Sequence, residues 1–139
     1  MLTIKLLHPE ILQALASNGH GAKILIADAN FPLFTQTPLP AKKVFLNLAP
    51  GLLKVTDVLG VIIDFIPVES IVLMQPPDDH IPSIHQDILS ITGTEIPSLP
   101  LKRTAFYERA RHTDCCLVIA TGDTRRFANV ILTIGVVKG

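Results

Sequence analysis

The chain has 139 residues, near the commonest size of one domain, which leaves no room for a separate cofactor-binding module. Apolar residues make up 48% and charged residues 17%, so there is enough hydrophobic surface to offset the ordering entropy and exclude disorder. Twelve basic residues balance twelve acidic ones, so no net field draws the chain to DNA, RNA or anionic lipid.

The first predicted helix opens at Pro9, whose fixed φ suits a first turn, and Glu10 favours the positive end of its dipole. Ile11, Leu12 and Leu15 give it one apolar face, and Asn18-Gly19 stops it. Residues 22–27 are a short apolar run ending at Asp28, which reads as a buried strand. Residues 31–40, rich in proline and threonine, read as loop. A strand is predicted over 43–48. A helix follows, capped by Thr56, with Val58, Leu59, Ile62 and Ile63 at helical spacing. Residues 70–74 form another strand, closed by Pro76-Pro77. Helices are predicted over 81–91, with Ile84, Ile88 and Ile91 on one side, and over 104–112. Strands over 117–120 and 130–136 end the chain, separated by a turn at Gly122-Asp123.

Strands alternating with helices imply a single-domain, layered α/β/α fold over residues 1–139 with a mostly parallel sheet. The short connection between the last two strands predicts an antiparallel hairpin and hence a mixed sheet. The longest apolar stretch, 58–68, is interrupted by Asp64 and falls well short of the roughly 20 residues that cross a bilayer, so no membrane partner is expected. No signal peptide is read at the N-terminus. A mean hydropathy of +0.45 is high for a monomer and predicts surface hidden in a homo-oligomer. Cys115 and Cys116 are adjacent in an apolar run and would point to opposite faces of a strand. Two buried thiols in a reducing compartment, the cytoplasm, are therefore expected.

In open α/β sheets ligands gather beyond the carboxyl ends of the strands, which is where Asp28 falls. His20 stands between Gly19 and Gly21, and an imidazole can give and take a proton near neutral pH. With a carboxylate in reach to fix its tautomer, His20 with Asp28 is a candidate acid/base pair. Taken separately, His20 reads as a helix-end cap and Asp28 as an Asx-turn. Arg103 offers a planar fork of donors for hydroxyls or carboxylates, and Asn129 an amide that can bond a ligand hydroxyl with either half. Tyr107 reads as a packing residue. The five histidines lack the i, i+4 spacing of helical metal sites, and no phosphate loop, dinucleotide fingerprint or serine elbow is present.

The order Gly19-His20-Gly21, Asp28-Ala29-Asn30-Phe31-Pro32, Arg103 before Ala105-Phe106-Tyr107-Glu108-Arg109-Ala110, then Thr121-Gly122 and Asn129 resembles the L-fucose mutarotase and D-ribose pyranase family. The likeness runs through Gly51-Leu52-Leu53 and Asp57-Val58-Leu59 and covers nearly the whole chain. It implies an α/β subunit in a ring-like decamer with sites near subunit junctions. The implied reaction is a cofactor-free, metal-free interconversion of the cyclic forms of a free monosaccharide. His20 would be the acid/base residue, and Asp28, Arg103, Asn129, Phe127 and Tyr107 would bind sugar. Ribose-specific members have histidine where this chain has Arg103, which tilts the resemblance toward the fucose branch. Two positions depart from the pattern: Phe127 stands where a tyrosine is common, and Ala22 where an acid often follows Gly-His-Gly.

The rival readings are a D-ribose pyranase, a non-catalytic sugar-binding or transport-accessory protein, and a purely structural oligomer. Exchange rates with fucose and ribose separate the first, and tight binding without exchange marks the second. The third predicts no sugar-induced change in melting temperature.

Overall fold

The computed structural model describes all residues, 1–139. The elements in chain order are α1 (Pro9–Ser17), β1 (Lys23–Ala27), β2 (Lys42–Phe45), α2 (Val55–Ile62), β3 (Val68–Gln75), α3 (Ser83–Thr92), β4 (Ser98–Lys102), α4 (Arg103–Ala110), β5 (Cys115–Ala120) and β6 (Val130–Ile134). The six strands form one sheet in the order β2-β5-β1-β6-β3-β4. Its β1–β5, β2–β5 and β3–β4 pairs are parallel, while β6 runs antiparallel to both β1 and β3. The sheet is thus mixed and mostly parallel, as expected.

The hairpin is not formed. β1 lies between β5 and β6, so the final two strands never pair. Residues 121–129 instead carry the chain across the end of β1, and β6 returns through the centre of the sheet with every residue buried. One strand, β4, is absent from the sequence-based expectation. β4, Ser-Leu-Pro-Leu-Lys, is largely exposed and carries Pro100, which is tolerated because β4 is an edge strand.

Strand alternation splits the core in two. Ile24, Ile26, Ile71, Leu73, Leu117, Ile119, Val130 and Leu132 face Ile11 of α1, Val58, Leu59 and Ile62 of α2, and Ile84 and Ile88 of α3. Leu25, Ala27, Val72, Met74, Val118 and Ile131 face the other way. They meet Phe106 and Ala110 of α4 and Phe31 and Leu33 of the proline-rich loop. Each fully buried Leu, Ile or Phe contributes about 1.5–3 kcal/mol relative to exposure, so the sheet is clamped from both sides. Cys115 belongs to the second cluster, and its thiol is pushed up to about 12 by burial. Cys116 packs on the first and is only half-buried. Both thiols are free.

Two helix starts show what local sequence does and does not specify. At α1 the His8 Nδ1 accepts from the Ile11 N–H at 3.4 Å, and Pro9 occupies the first turn. At α2 the expected Thr56 cap is displaced, because the helix begins two residues earlier than that cap implies, at Val55, with Lys54 as its cap. The Val55 N–H donates instead to Asp123 Oδ2 at 2.9 Å, and the Lys54 N–H to Asp57 Oδ2 at 2.9 Å. Asp123 is 68 residues away and supplies negative charge at the positive end of the helix.

Candidate functional site

Five strands point their carboxyl ends to one edge of the sheet, and the antiparallel β6 brings its amino end to the same edge. Asp28 after β1, Met74 in β3 and the 126–129 segment before β6 therefore converge there. α4 adds Arg103 and Tyr107. Together with Asn30 and Phe31 they line an open cleft of about 310 Å³. Its size and its mixture of aromatic walls with a few convergent polar groups suit a small, hydroxyl-rich ligand.

Asp28 is the fixed point of the cleft. It is 7% exposed. Its Oδ1 accepts from the Asn30 N–H at 3.0 Å, and its Oδ2 accepts from Asn129 Nδ2 at 3.1 Å. The Asp28 N–H donates in turn to Asn129 Oδ1 at 2.7 Å. Burial raises the Asp28 pKa above the ordinary aspartate value, although the Asn30 and Asn129 donors work against the shift. The Asx-turn is real, and it coexists with a place in the cleft. Asn129 differs from expectation, because both halves of its buried amide are already engaged by Asp28. The amide nitrogen also faces Met74 Sδ at 4.0 Å, so an oxygen lone pair is what remains for a ligand.

Arg103, the first residue of α4, is exposed and lines the cleft. Tyr107, one turn on, packs edge-to-face on Phe31 at 5.5 Å between ring centroids and also lines it. Phe127 forms a wall with a positive φ of 63°. The Arg126 guanidinium lies 5.5 Å from the centre of its ring.

The loop that carries them is held from behind. Asp123 is 1% exposed. Burial alone would raise its pKa, but bonds from Arg125 and the Val55 N–H bring it below the ordinary value. Arg125 donates to it from its backbone N–H and Nε at 3.0 Å and from its guanidinium NH2 at 2.7 Å. Gly122 is required by close approach: a Cβ there would stand 2.2 Å from the Ala49 carbonyl oxygen and 2.3 Å from that of Leu52.

His20 lies elsewhere. It precedes β1, whereas Asp28 follows it, and the five residues of β1 keep the two apart by about 13 Å or more. The expected His20–Asp28 pair is therefore absent within one subunit. An extended strand separates groups that a helix or turn would bring together. His20 Nε2 instead pairs with Glu69 Oε1 at 2.9 Å, both side chains being about half exposed. Glu69 sits where the β3–β6 register shifts between Val68 and Ser70. Such an irregularity re-aims a side chain out of the pleat. Sequence reading missed Glu69, Arg126, Met74 and the Asp123–Arg125 anchor. Only the dibasic Arg125-Arg126 before an aromatic residue offered a signal.

Known proteins share both sequence and fold with this chain. The model of the RbsD / FucU transport protein family matches residues 1–137. A fucose mutarotase of Bos taurus is 36% identical over 144 residues, covering 94% of this chain and 90% of the relative. A D-ribose pyranase of Variovorax paradoxus (strain S110) is 31% identical over 136 residues, covering 94% of this chain and 95% of the relative. Bacillus subtilis RbsD complexed with D-ribose superposes with a TM-score of 0.86 at 28% identity, over 99% of this chain and all 100% of that one. The fucose mutarotase of Streptococcus pneumoniae in complex with L-fucose gives 0.83 at 28% identity, again over 99% and 100%.

Proposed function

The chain belongs to the RbsD/FucU family, and from that premise we propose that it is a cofactor-independent monosaccharide mutarotase acting on L-fucose. The observation that carries this reading is the cleft at the carboxyl edge of the sheet, where Asp28, Asn129 and Arg103 converge beside aromatic walls. Asp28 accepts from sugar hydroxyls and Arg103 donates to them, while Phe127 offers an apolar face to the sugar's C–H side.

Mutarotation needs two proton transfers. The anomeric hydroxyl loses a proton, the ring oxygen gains one, and the bond between that oxygen and the anomeric carbon breaks to give the aldehyde. Reclosure on the other face reverses each step. No carbon–hydrogen bond breaks, so nothing in the reaction calls for a nicotinamide or a metal. A single imidazole with access to both oxygens serves as base and acid.

His20 takes that role from a second subunit. The cleft lining supplied by this subunit holds no imidazole. The His20–Glu69 pair faces outward at the opposite edge. A symmetric ring, a decamer as in the resemblance, brings one subunit's amino edge to its neighbour's carboxyl edge. Phe34, Leu39, Phe45, Leu48, Leu52 and Leu53 are all exposed, and the Phe34 and Phe45 rings stack at 6.1 Å, leaving apolar surface for such contacts. The free thiols favour the cytoplasm as the place of action.

Saturation-transfer NMR on L-fucose tests the reading. Wild-type protein accelerates anomer exchange, and His20→Ala slows it by about 10²–10⁴-fold without dissolving the assembly. Exchange at the buffer rate with wild-type protein rejects the function, and full exchange with His20→Ala rejects the role of the imidazole. Ribose run in parallel decides between mutarotase and pyranase. Co-assembly of His20→Ala with Asp28→Asn subunits gives up to about a quarter of the sites both native groups if each draws on two chains, and these appear as a wild-type KM component.

A further inference from the structure

We propose that His85 is a positioning residue of the cleft, holding Phe127 through its carbonyl in the left-handed backbone conformation that places that residue on the cleft wall. The inference rests on the reading of this cleft as the sugar site.

A positive φ is a rare state for a bulky side chain and persists only where the surroundings impose it. The surroundings here are specific. On one side of Phe127, Arg125 is tied to Asp123 through its own backbone N–H at 3.0 Å; on the other, Asn129 is tied to Asp28. Between these anchors the Phe127 carbonyl accepts from His85 Nε2 at 3.0 Å. A carbonyl can only accept, so Nε2 carries the proton.

His85 is 5% exposed and projects from the first turn of α3, on the face of the sheet opposite α4. It approaches the cleft from behind, and burial lowers its pKa below the ordinary histidine value. One buried side chain thus reaches the wall through Phe127 without lining the cleft itself. Releasing the Phe127 carbonyl lets the backbone relax toward negative φ and withdraw the wall. That loosens sugar binding without altering proton transfer.

His85→Leu, His85→Gln and His85→Asn test this with L-fucose exchange and crystal structures. In His85→Leu the KM rises about tenfold with kcat held within about twofold, and Phe127 leaves the left-handed region. His85→Gln, whose amide reaches the carbonyl, restores both, while His85→Asn, one methylene shorter, does not. If His85→Leu does not fold, the Gln and Asn variants carry the comparison. An unchanged KM or a left-handed Phe127 in a variant lacking the donor overturns the proposal, as does equal loss in Gln and Asn. Should the wild-type protein itself fail to accelerate exchange, the sugar reading falls, and the Phe127 conformation in the variant crystals still decides the role of His85.

Discussion

Asp28 and Asn129, 101 residues apart, bond each other twice: backbone N–H to amide oxygen at 2.7 Å, and amide nitrogen to carboxylate at 3.1 Å. The second bond turns one carboxylate oxygen toward Asn129, and the Asn30 N–H holds the other at 3.0 Å. The carboxylate is fixed before any ligand arrives.

The pH dependence of binding follows from that carboxylate. Burial raises its pKa above 3.8, so its contribution to folding is present at acid pH and lost as pH rises through the raised value. Sugar hydroxyls favour the ionised form and recover part of that cost. The KM for L-fucose therefore rises on acidification, starting at a higher pH than an ordinary aspartate would give, and Asp28→Asn flattens the profile. A wild-type KM that stays constant down to about pH 4 would remove Asp28 from sugar contact.

Phe127→Tyr adds a hydroxyl at the cleft wall. One added neutral hydrogen bond is worth about 0.5–1.5 kcal/mol, so L-fucose affinity improves about twofold to tenfold, read by calorimetry or KM. No change would mean that this position offers the sugar only a stacking face.

Arg103→His replaces a rigid fork with a smaller ring. Fucose exchange is expected to fall by about tenfold or more while ribose exchange falls less, since a lost charged donor costs about 1.5–3 kcal/mol. Equal losses for the two sugars, measured side by side, would separate Arg103 from sugar choice.

Away from the cleft, Arg109 holds Asp114 with paired bonds at 3.0 and 2.9 Å, which lowers its pKa from 3.8 to about 2. The folded value is the depressed one, so this stabilisation is present above about pH 4 and is lost as pH falls toward about 2. Asp114→Asn should cost about 1 kcal/mol at pH 7, since solvent screens this partly exposed pair, and almost nothing at pH 2. Denaturant titrations at fixed protein concentration check both ends.

Gly122→Ala places a methyl 2.2 Å from the Ala49 oxygen, a backbone atom that cannot swing aside. A loss of about 3 kcal/mol is expected, together with weaker sugar binding, because the same loop carries Phe127. A melting temperature within two or three degrees of wild type, where about 4 °C per kcal/mol applies, would show that the 49–52 turn yields.

Periodicity made β1, α1 and α3 legible, since their apolar residues fall where the clusters need them. β4 was illegible because its stability comes from one neighbour, β3, rather than from its own exposed residues. The hairpin failed for a related reason: a turn signal at Gly122-Asp123 says that the chain bends, not which strand it then joins. For the site, a place at a strand end singled out Asp28 and side-chain chemistry singled out Arg103 and Asn129, while Phe127 acquired its role through the family resemblance. The Asp28–Asn129 and Asp123–Val55 bonds span 101 and 68 residues, beyond any local pattern. His85 carried no motif, because its task is to hold a backbone carbonyl.

β1 acts as a gauge rod. Flanked by β5 and β6 and closed to solvent along Ile24–Ala27, it cannot shorten, bend or slip. The imidazole at one tip and the carboxylate at the other are thereby barred from ever meeting inside their own chain. In the assembly proposed above, dilution that parts the subunits separates the two groups more surely than any mutation.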